Sequence, residues 1–246
     1  MIKAKIIADS VDTIGNRITS FIVDVPQIIV KELLRHRMFS FSSSSMRAVP
    51  FNNVIKDIKE NMFIPLAFQA HHSGMQGNVY LEGNIAEDAR KMWIETGLTA
   101  CKQAEELYHL GGVTKQLCSR IIEPFGYAKI LVTATEFGNF FELRCPKFIN
   151  EHESGEDISF SRKDFINKLK QRYPTNWEIE LKDFFGIENN TEEEWWALSE
   201  SQAEIHIQAL AEAMWDARNE STPNKLKSGE FHVPFIEIEE DLKITK

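Results

Sequence analysis

From about Ile85 to Leu110, apolar and small residues recur at helical spacing (Ala86, Ala89, Trp93, Leu98, Ala100, Ala104, Leu107), and Gly111 and Gly112 stop the run. A single helix of that length is the firmest constraint on the fold, because the patterns around it are of a different kind. Residues 2–8 (IKAKIIA) and Arg17–Val25 (RITSFIVDV) alternate as strands do, and Ala128–Thr135 (AKILVTAT) reads as a buried strand. The expected fold class is α/β (α+β), with a mostly antiparallel sheet and several long helices. Its 246 residues suit one large domain, or one domain carrying an insertion. Seventeen Phe, five Trp and 43% hydrophobic residues supply the core.

Between these elements the signals are local. Pro26 suits the first turn of a helix whose apolar face, Ile28, Ile29, Leu33 and Leu34, runs to about His36. After Pro50 comes a short amphipathic segment, and Ala70–Asn78 (AHHSGMQGN) reads as a loop. Thr114–Ile122 predicts a short helix ending at Pro124, and Thr135–Arg144 (TEFGNFFELR) a helix with a Thr cap and an acid in its first turn. Glu192–Ala217 has a strong helical period, and the tail GEFHVPFIEIEE an extended one. Residues of about 147–199 differ in character, with thirteen acidic against six basic residues between Glu151 and Glu200. The expected organisation is therefore a single domain over 1–246 with an acidic, partly helical insertion at about 147–199, in which Trp177, Trp195 and Trp196 pack a small core of their own.

Several function classes are disfavoured. The N-terminus has no small-residue cleavage site and no apolar segment reaches membrane-spanning length, so no membrane partner is expected and the expected location is cytoplasmic, or the host cytoplasm for a viral protein. A net charge of −9 argues against a protein that coats nucleic acid. Cys101, Cys118 and Cys145 lack disulfide or metal-ligand spacing, which predicts reduced thiols, with Cys145 as a buried structural one. His71, His72 and His152 have no ligand spacing either, and no metal is expected.

The stretch LLRHRMFSFSSSSMRAVP, Leu33–Pro50, is the strongest chemical signal. Arg35, His36 and Arg37 at a helix end have a bland reading, since unpaired carbonyls there attract cations. The hydroxyl-rich segment that follows changes the weighing. Ser42, Ser43, Ser44 and Ser45 offer hydroxyl and backbone donors, and Arg47 adds a planar fork suited to phosphate. Together they predict a phosphate or nucleotide cradle working against an acidic overall field.

Arg35-His36-Arg37, seven residues and then Ser45 also resembles the RHRx7S signature of the flavin-dependent thymidylate synthases. Gly112–Pro124, Val132–Arg144, Ser201–Met214 and the closing GEFHVPF resemble further segments of that family, most of all its phage and bacterial branch. The resemblance covers nearly all of the chain except about 147–199. It implies FAD as cofactor, NADPH and 5,10-methylenetetrahydrofolate as co-substrates, dUMP or another pyrimidine deoxynucleotide as substrate, dTMP as product, and a homotetramer with shared active sites. It also implies roles. Arg144 and Ser45 would be catalytic, and Glu32, Ser43, Ser44, Ser45, Arg47, Arg120 and Arg144 would bind the nucleotide. Arg35, His36, Arg37, Ser42 and Asn139 would hold flavin. In this family the flavin, not a protein cysteine, carries the chemistry.

Bland alternatives stand beside these roles: Glu32 as a solvated residue paired with Arg35, Arg120 as an ion-pair partner of Glu123, and Asn139 as a helix-face polar group. The chain also departs from the branch's pattern, with Phe41 and Ser42 where arginine and asparagine are usual, and with Thr114, Ser119 and Glu200 at other contact positions. Three readings follow: thymidylate synthesis, a related hydroxymethylase or dCMP-specific variant, or a catalytically silent nucleotide-binding homologue.

Overall fold

The structure is a computed structural model that describes residues 1–44, 48–73, 77, 79–152 and 155–235. Chain order begins with β1 (Lys3–Val11), β2 (Arg17–Pro26), a 3₁₀ turn, α1 (Val30–Leu33) and β3 (Ser40–Ser43). Next come α2 (Phe51–Glu60), α3 (Gly83–His109), α4 (Lys115–Ile122), β4 (Tyr127–Ala134) and α5 (Gly138–Arg144). The remainder is β5 (Phe148–His152), β6 (Gly155–Ser159), α6 (Arg162–Arg172), α7 (Trp177–Asp183), α8 (Glu192–Leu198), α9 (Ile205–Glu220) and β7 (Asn224–Lys225).

The main sheet has the order β3-β4-β2-β1-β7, and every pairing except the two-residue contact of β1 with β7 is antiparallel. The protein is thus of mixed α/β class with a mostly antiparallel sheet. Alternation on β4 turns Ala128, Ile130, Val132 and Ala134 inward. Beside them Phe21, Val23 and Val25 of β2 are buried, and α9 closes this core with Ile207, Leu210, Ala211 and Met214. A second cluster joins Phe51, Val54, Ile55 and Ile58 of α2 to Cys101 and Ala104 of α3 and to Cys118 and Ile122 of α4. The three cysteines are free and buried, and burial pushes the Cys145 thiol well up.

Residues 148–198 gather a third cluster around Phe148, Phe165, Leu169 and Trp195, with Trp177 packed against it. Trp196 turns the other way, onto Ala67 and Ile205. Arg162 braces this segment and joins it to the rest: its guanidinium grips Glu192 within the segment at 2.8 and 2.7 Å, and its backbone N–H donates to Glu212 of α9 at 2.7 Å. A capping box of Thr191 and Glu194 starts α8.

Five expectations are corrected. The helix after Pro26 ends at Leu33 rather than His36, because Pro26 still pairs with Tyr127 as sheet and the 3₁₀ turn consumes the next residues. The helix expected from Thr135 starts at Gly138 with no side-chain cap; Glu136 instead accepts the Gly138 N–H at 2.5 Å from outside the helix. The period over Glu192–Ala217 is broken between Leu198 and Ile205 into α8 and α9. Leu98, expected on the inner face of α3, is 45% exposed. In the tail the two strand residues are Asn224–Lys225, residues 226–235 form no strand, and 236–246 lie outside the described residues.

Candidate functional site

The Arg35-His36-Arg37 triplet sits in the turns that leave α1. Backbone bonds from Arg35 N–H to Glu32 O and from His36 N–H to Leu33 O, both 3.2 Å, and from Phe39 N–H to His36 O at 3.1 Å coil this segment. Leu33 and Phe39 are buried and anchor it at both ends, leaving Arg35 and Arg37 exposed with His36 half-buried between them. Across from it stands α5. Phe140 and Phe141 face the core, so Asn139, Leu143 and Arg144 fall on the adjoining outer surface.

These two segments enclose a cavity of about 360 Å³ lined by Arg35, His36, Arg37, Asn139 and Arg144, with Met38, Phe39, Phe140, Leu143 and Glu136 completing the wall. Arg144 Nε donates to His36 Nε2 at 3.2 Å, and the His36 ring meets Phe140 edge-on at 4.7 Å. Burial, then the cations Arg144 and Arg35, lower the His36 pKa from 6.5 to about 4. His36 is therefore neutral at pH 7. Since its Nε2 accepts from a guanidinium, the ring proton sits on Nδ1. Among the described residues the Arg35 and Arg37 guanidinium groups meet no carboxylate, so both charges remain available to an anion.

Glu136 is the polar member of this wall that sequence reasoning did not single out, having been read as a first-turn acid. Its Oε1 is held by the Gly138 N–H, which leaves Oε2 for another donor. Glycine at 138 permits that approach, since a Cβ there would stand 2.8 Å from Glu136 Oε1.

The serines lie elsewhere on the same sheet. Ser42 and Ser43 are exposed on the edge strand β3, paired with Leu131 and Ile130, while Phe41, between Ser40 and Ser42, turns toward the core. Ser44 bonds Lys129 O through both its N–H (3.0 Å) and its hydroxyl (3.1 Å). It lines a second cavity of about 550 Å³ together with Lys3, Asp24, Asn53, Tyr127 and Lys129. Ser45 and Arg47 lie outside the described residues. Arg120 is exposed on α4, bound to Glu123 at 2.5 Å, and Glu32 is half-buried in α1; neither lines these two cavities. No ion pair joins the side chains of Glu32 and Arg35 among the described residues. No group of three or more His, Cys, Asp or Glu side chains converges among the described residues, and no helix there is long and apolar enough to cross a membrane.

The arrangement is suited to a planar anion. Two unpaired guanidinium groups offer a charge, a third is fixed by a neutral imidazole, and the amide of Asn139 and carboxylate of Glu136 offer polar contacts beside the Phe39 and Phe140 rings. No family model matches the sequence, and no curated protein matches it. Solved structures similar in shape include the UMP/dUMP methylase PolB from Streptomyces cacaoi bound with 5-Br UMP: 15% identity over 73% of this chain and 93% of that one, TM-score 0.45. The same enzyme bound with 5-Br dUMP gives 14% identity, 67% and 70% coverage, and TM-score 0.43. Thymidylate Synthase X (ThyX) from Helicobacter pylori with FAD and dUMP gives 14% identity, 82% and 67% coverage, and TM-score 0.36. At these values the likeness fixes neither a family nor an activity.

Proposed function

We propose that the protein transfers a one-carbon unit from methylenetetrahydrofolate to C5 of dUMP, giving dTMP, with FAD as cofactor and NADPH as reductant. The observation that carries this reading is the convergence of Arg35, His36, Arg37, Asn139 and Arg144 on one cavity, although 101 positions separate Arg37 from the start of α5 at Gly138. The family resemblance assigns four of these five to flavin, together with Ser42, which does not line the cavity, and assigns Arg144 to the pyrimidine.

The fit to a flavin is favourable in kind. A cavity of about 360 Å³ is near the lower end of ligand pockets and takes one heterocycle, not a whole dinucleotide. Further surface is required, which a second subunit of a homotetramer with shared sites would supply. When bound, the flavin would supply electron and one-carbon transfer. The chain's own contribution is electrostatic and positional. Arg144, held by His36, would place a cation against the pyrimidine carbonyls and stabilise negative charge developing on the ring. His36 would donate its Nδ1–H, and Asn139 would offer its amide to flavin. Arg120, Glu32, Ser42, Ser43 and Ser44 do not line this cavity in one chain, so they would serve the nucleotide across a subunit boundary: Arg120 with Arg47 would neutralise the phosphate, and the serines, Ser45 included, with Glu32 would supply the remaining polar contacts.

Binding tests this directly. Purified protein is expected to carry or take up FAD, seen as flavin absorbance that survives gel filtration, and to bind dUMP in calorimetry. Arg144→Ala is expected to weaken dUMP binding at least ten-fold, about 1.4 kcal/mol. Protein that takes up no flavin but still binds the nucleotide would make it a silent homologue, and protein that binds neither would end the proposal.

A further inference from the structure

Of the 27 residues of α3, only Gly97, Cys101 and Ala104 are buried, with Trp93, Ala100 and Leu107 packed partly against the same cluster. A helix about 40 Å long normally takes its stability from a packed apolar face. Here that face is narrow, and a second stripe runs beside it. Ile85, Ala89, Met92, Thr96, Thr99, Gln103 and Glu106, with Leu110 just past the helix end, follow one another in alternating steps of four and three. That is the seam spacing of paired helices. Ile85, Met92 and Leu110 are 66%, 68% and 78% exposed. The middle of the stripe is a shallow groove of about 370 Å³, floored by Thr96, Thr99 and Ala100 between Met92 and Gln103. The Thr96 hydroxyl already donates to Met92 O at 2.7 Å, so it needs no further acceptor.

We propose that this stripe is the contact between two copies of the chain, their α3 helices packed antiparallel about a two-fold axis passing between Thr96 and Thr99. Two observations select a second copy as the occupant. The stripe maps onto itself when reversed: Ile85 of one copy meets Leu110 of the other, Ala89 meets Glu106, Met92 meets Gln103, and Thr96 meets Thr99, as a two-fold interface requires; the small Ala89 leaves the Glu106 carboxylate room to turn out to the rim. The charges at its rim, Glu106 of the stripe among them, match in the same arrangement. Lys91 falls beside Glu106 of the other copy and Glu95 beside Lys102, and each pairing occurs twice. Within one chain, Lys91 reaches Glu87 and Asp88, and Lys102 reaches Glu106, only at 3.6 to 4.0 Å and on well-exposed side chains. Such pairs hold little energy and exchange partners readily. Small hydroxylated residues at the centre let the two backbones approach, while the outer Ile85, Met92 and Leu110 supply apolar burial. This contact is independent of the chemistry read for the arginine cavity.

The test is the mass of the full-length protein by light scattering after gel filtration, at several concentrations. The wild type is expected to be a dimer or a multiple of one. Thr99→Glu and Thr96→Arg each set two like charges beside the axis and are expected to halve that mass, with an unchanged far-ultraviolet circular dichroism spectrum because both positions are exposed on the single chain. Mixing the two variants sets arginine against glutamate across the axis and is expected to restore the wild-type mass. A monomeric wild type, a Thr99→Glu variant of undiminished mass, or a mixture that stays at half mass would overturn the proposal.

Discussion

Neutral His36 should make the stability of this protein fall in mild acid in a way that one substitution removes. In the folded chain the ring titrates at about 4, against 6.5 for a free imidazole. Between those values the unfolded state binds a proton that the folded state refuses, so stability is full above about pH 6.5 and is lost as pH falls toward 4. The difference sets an upper bound of roughly 3 kcal/mol. Because the ring is only half-buried, screening reduces the expected loss to about 1–2 kcal/mol. Urea unfolding of the wild type and of His36→Gln at pH 7.5 and pH 4.5 isolates it, since glutamine still accepts from Arg144 and the other acidic groups cancel in the comparison. The wild type should lose about 1–2 kcal/mol more than the variant. Arg144→Ala removes the larger of the two charge contributions, so the His36 pKa, followed by NMR, should rise while burial keeps it below 6.5. A wild-type His36 titrating near 6.5, or an equal loss in both proteins, would refute the reasoning.

Other perturbations have expected outcomes as definite. Phe21→Ala empties a fully buried site of β2 that meets Phe137 edge-on and should cost about 3–5 kcal/mol in urea unfolding. Burial raises the Glu212 carboxyl to about 7, so the folded state holds a proton that the unfolded state releases above about 4.5, and stability falls as pH rises from 4.5 to 7. Glu212→Gln, which keeps the acceptor for the Arg162 N–H, should flatten that fall and be about 1–3 kcal/mol more stable than wild type at pH 8. Asn139→Ala should weaken flavin binding about ten-fold by fluorescence titration, roughly 1.4 kcal/mol, without moving the melting temperature.

Periodicity made β1, β2, β4 and α3 legible, because each buries one face or nearly all of itself and so repeats at its own period. It failed where tertiary pairing overrode local preference. Pro26 reads as a helix start, yet it completes the β2 ladder opposite Tyr127, and the turn after it leaves room for only four residues of α-helix. The serine run reads as an irregular cradle; Ser40–Ser43 is instead an edge strand, and the alternation of Ser40, Phe41 and Ser42 was the available signal. Arg35, His36, Arg37, Asn139 and Arg144 share one cavity, and spacing alone could not have joined them, since the contact between the post-α1 turns and α5 is long-range. Only the resemblance tied them to one site. Glu136 escaped notice because an acid before a helix usually serves the helix, and here it does so while also lining the cavity.

The most direct test of the central claim is a product analysis under anaerobic conditions. Flavin-loaded protein is reduced, methylenetetrahydrofolate and dUMP or dCMP are added, and the nucleotide is weighed by mass spectrometry, with Arg144→Ala as control. The account predicts a methyl group gained on dUMP and its loss in the variant. A hydroxymethyl product, or turnover of dCMP alone, would contradict thymidylate synthesis, and an unchanged nucleotide with flavin bound would contradict one-carbon transfer at this cavity.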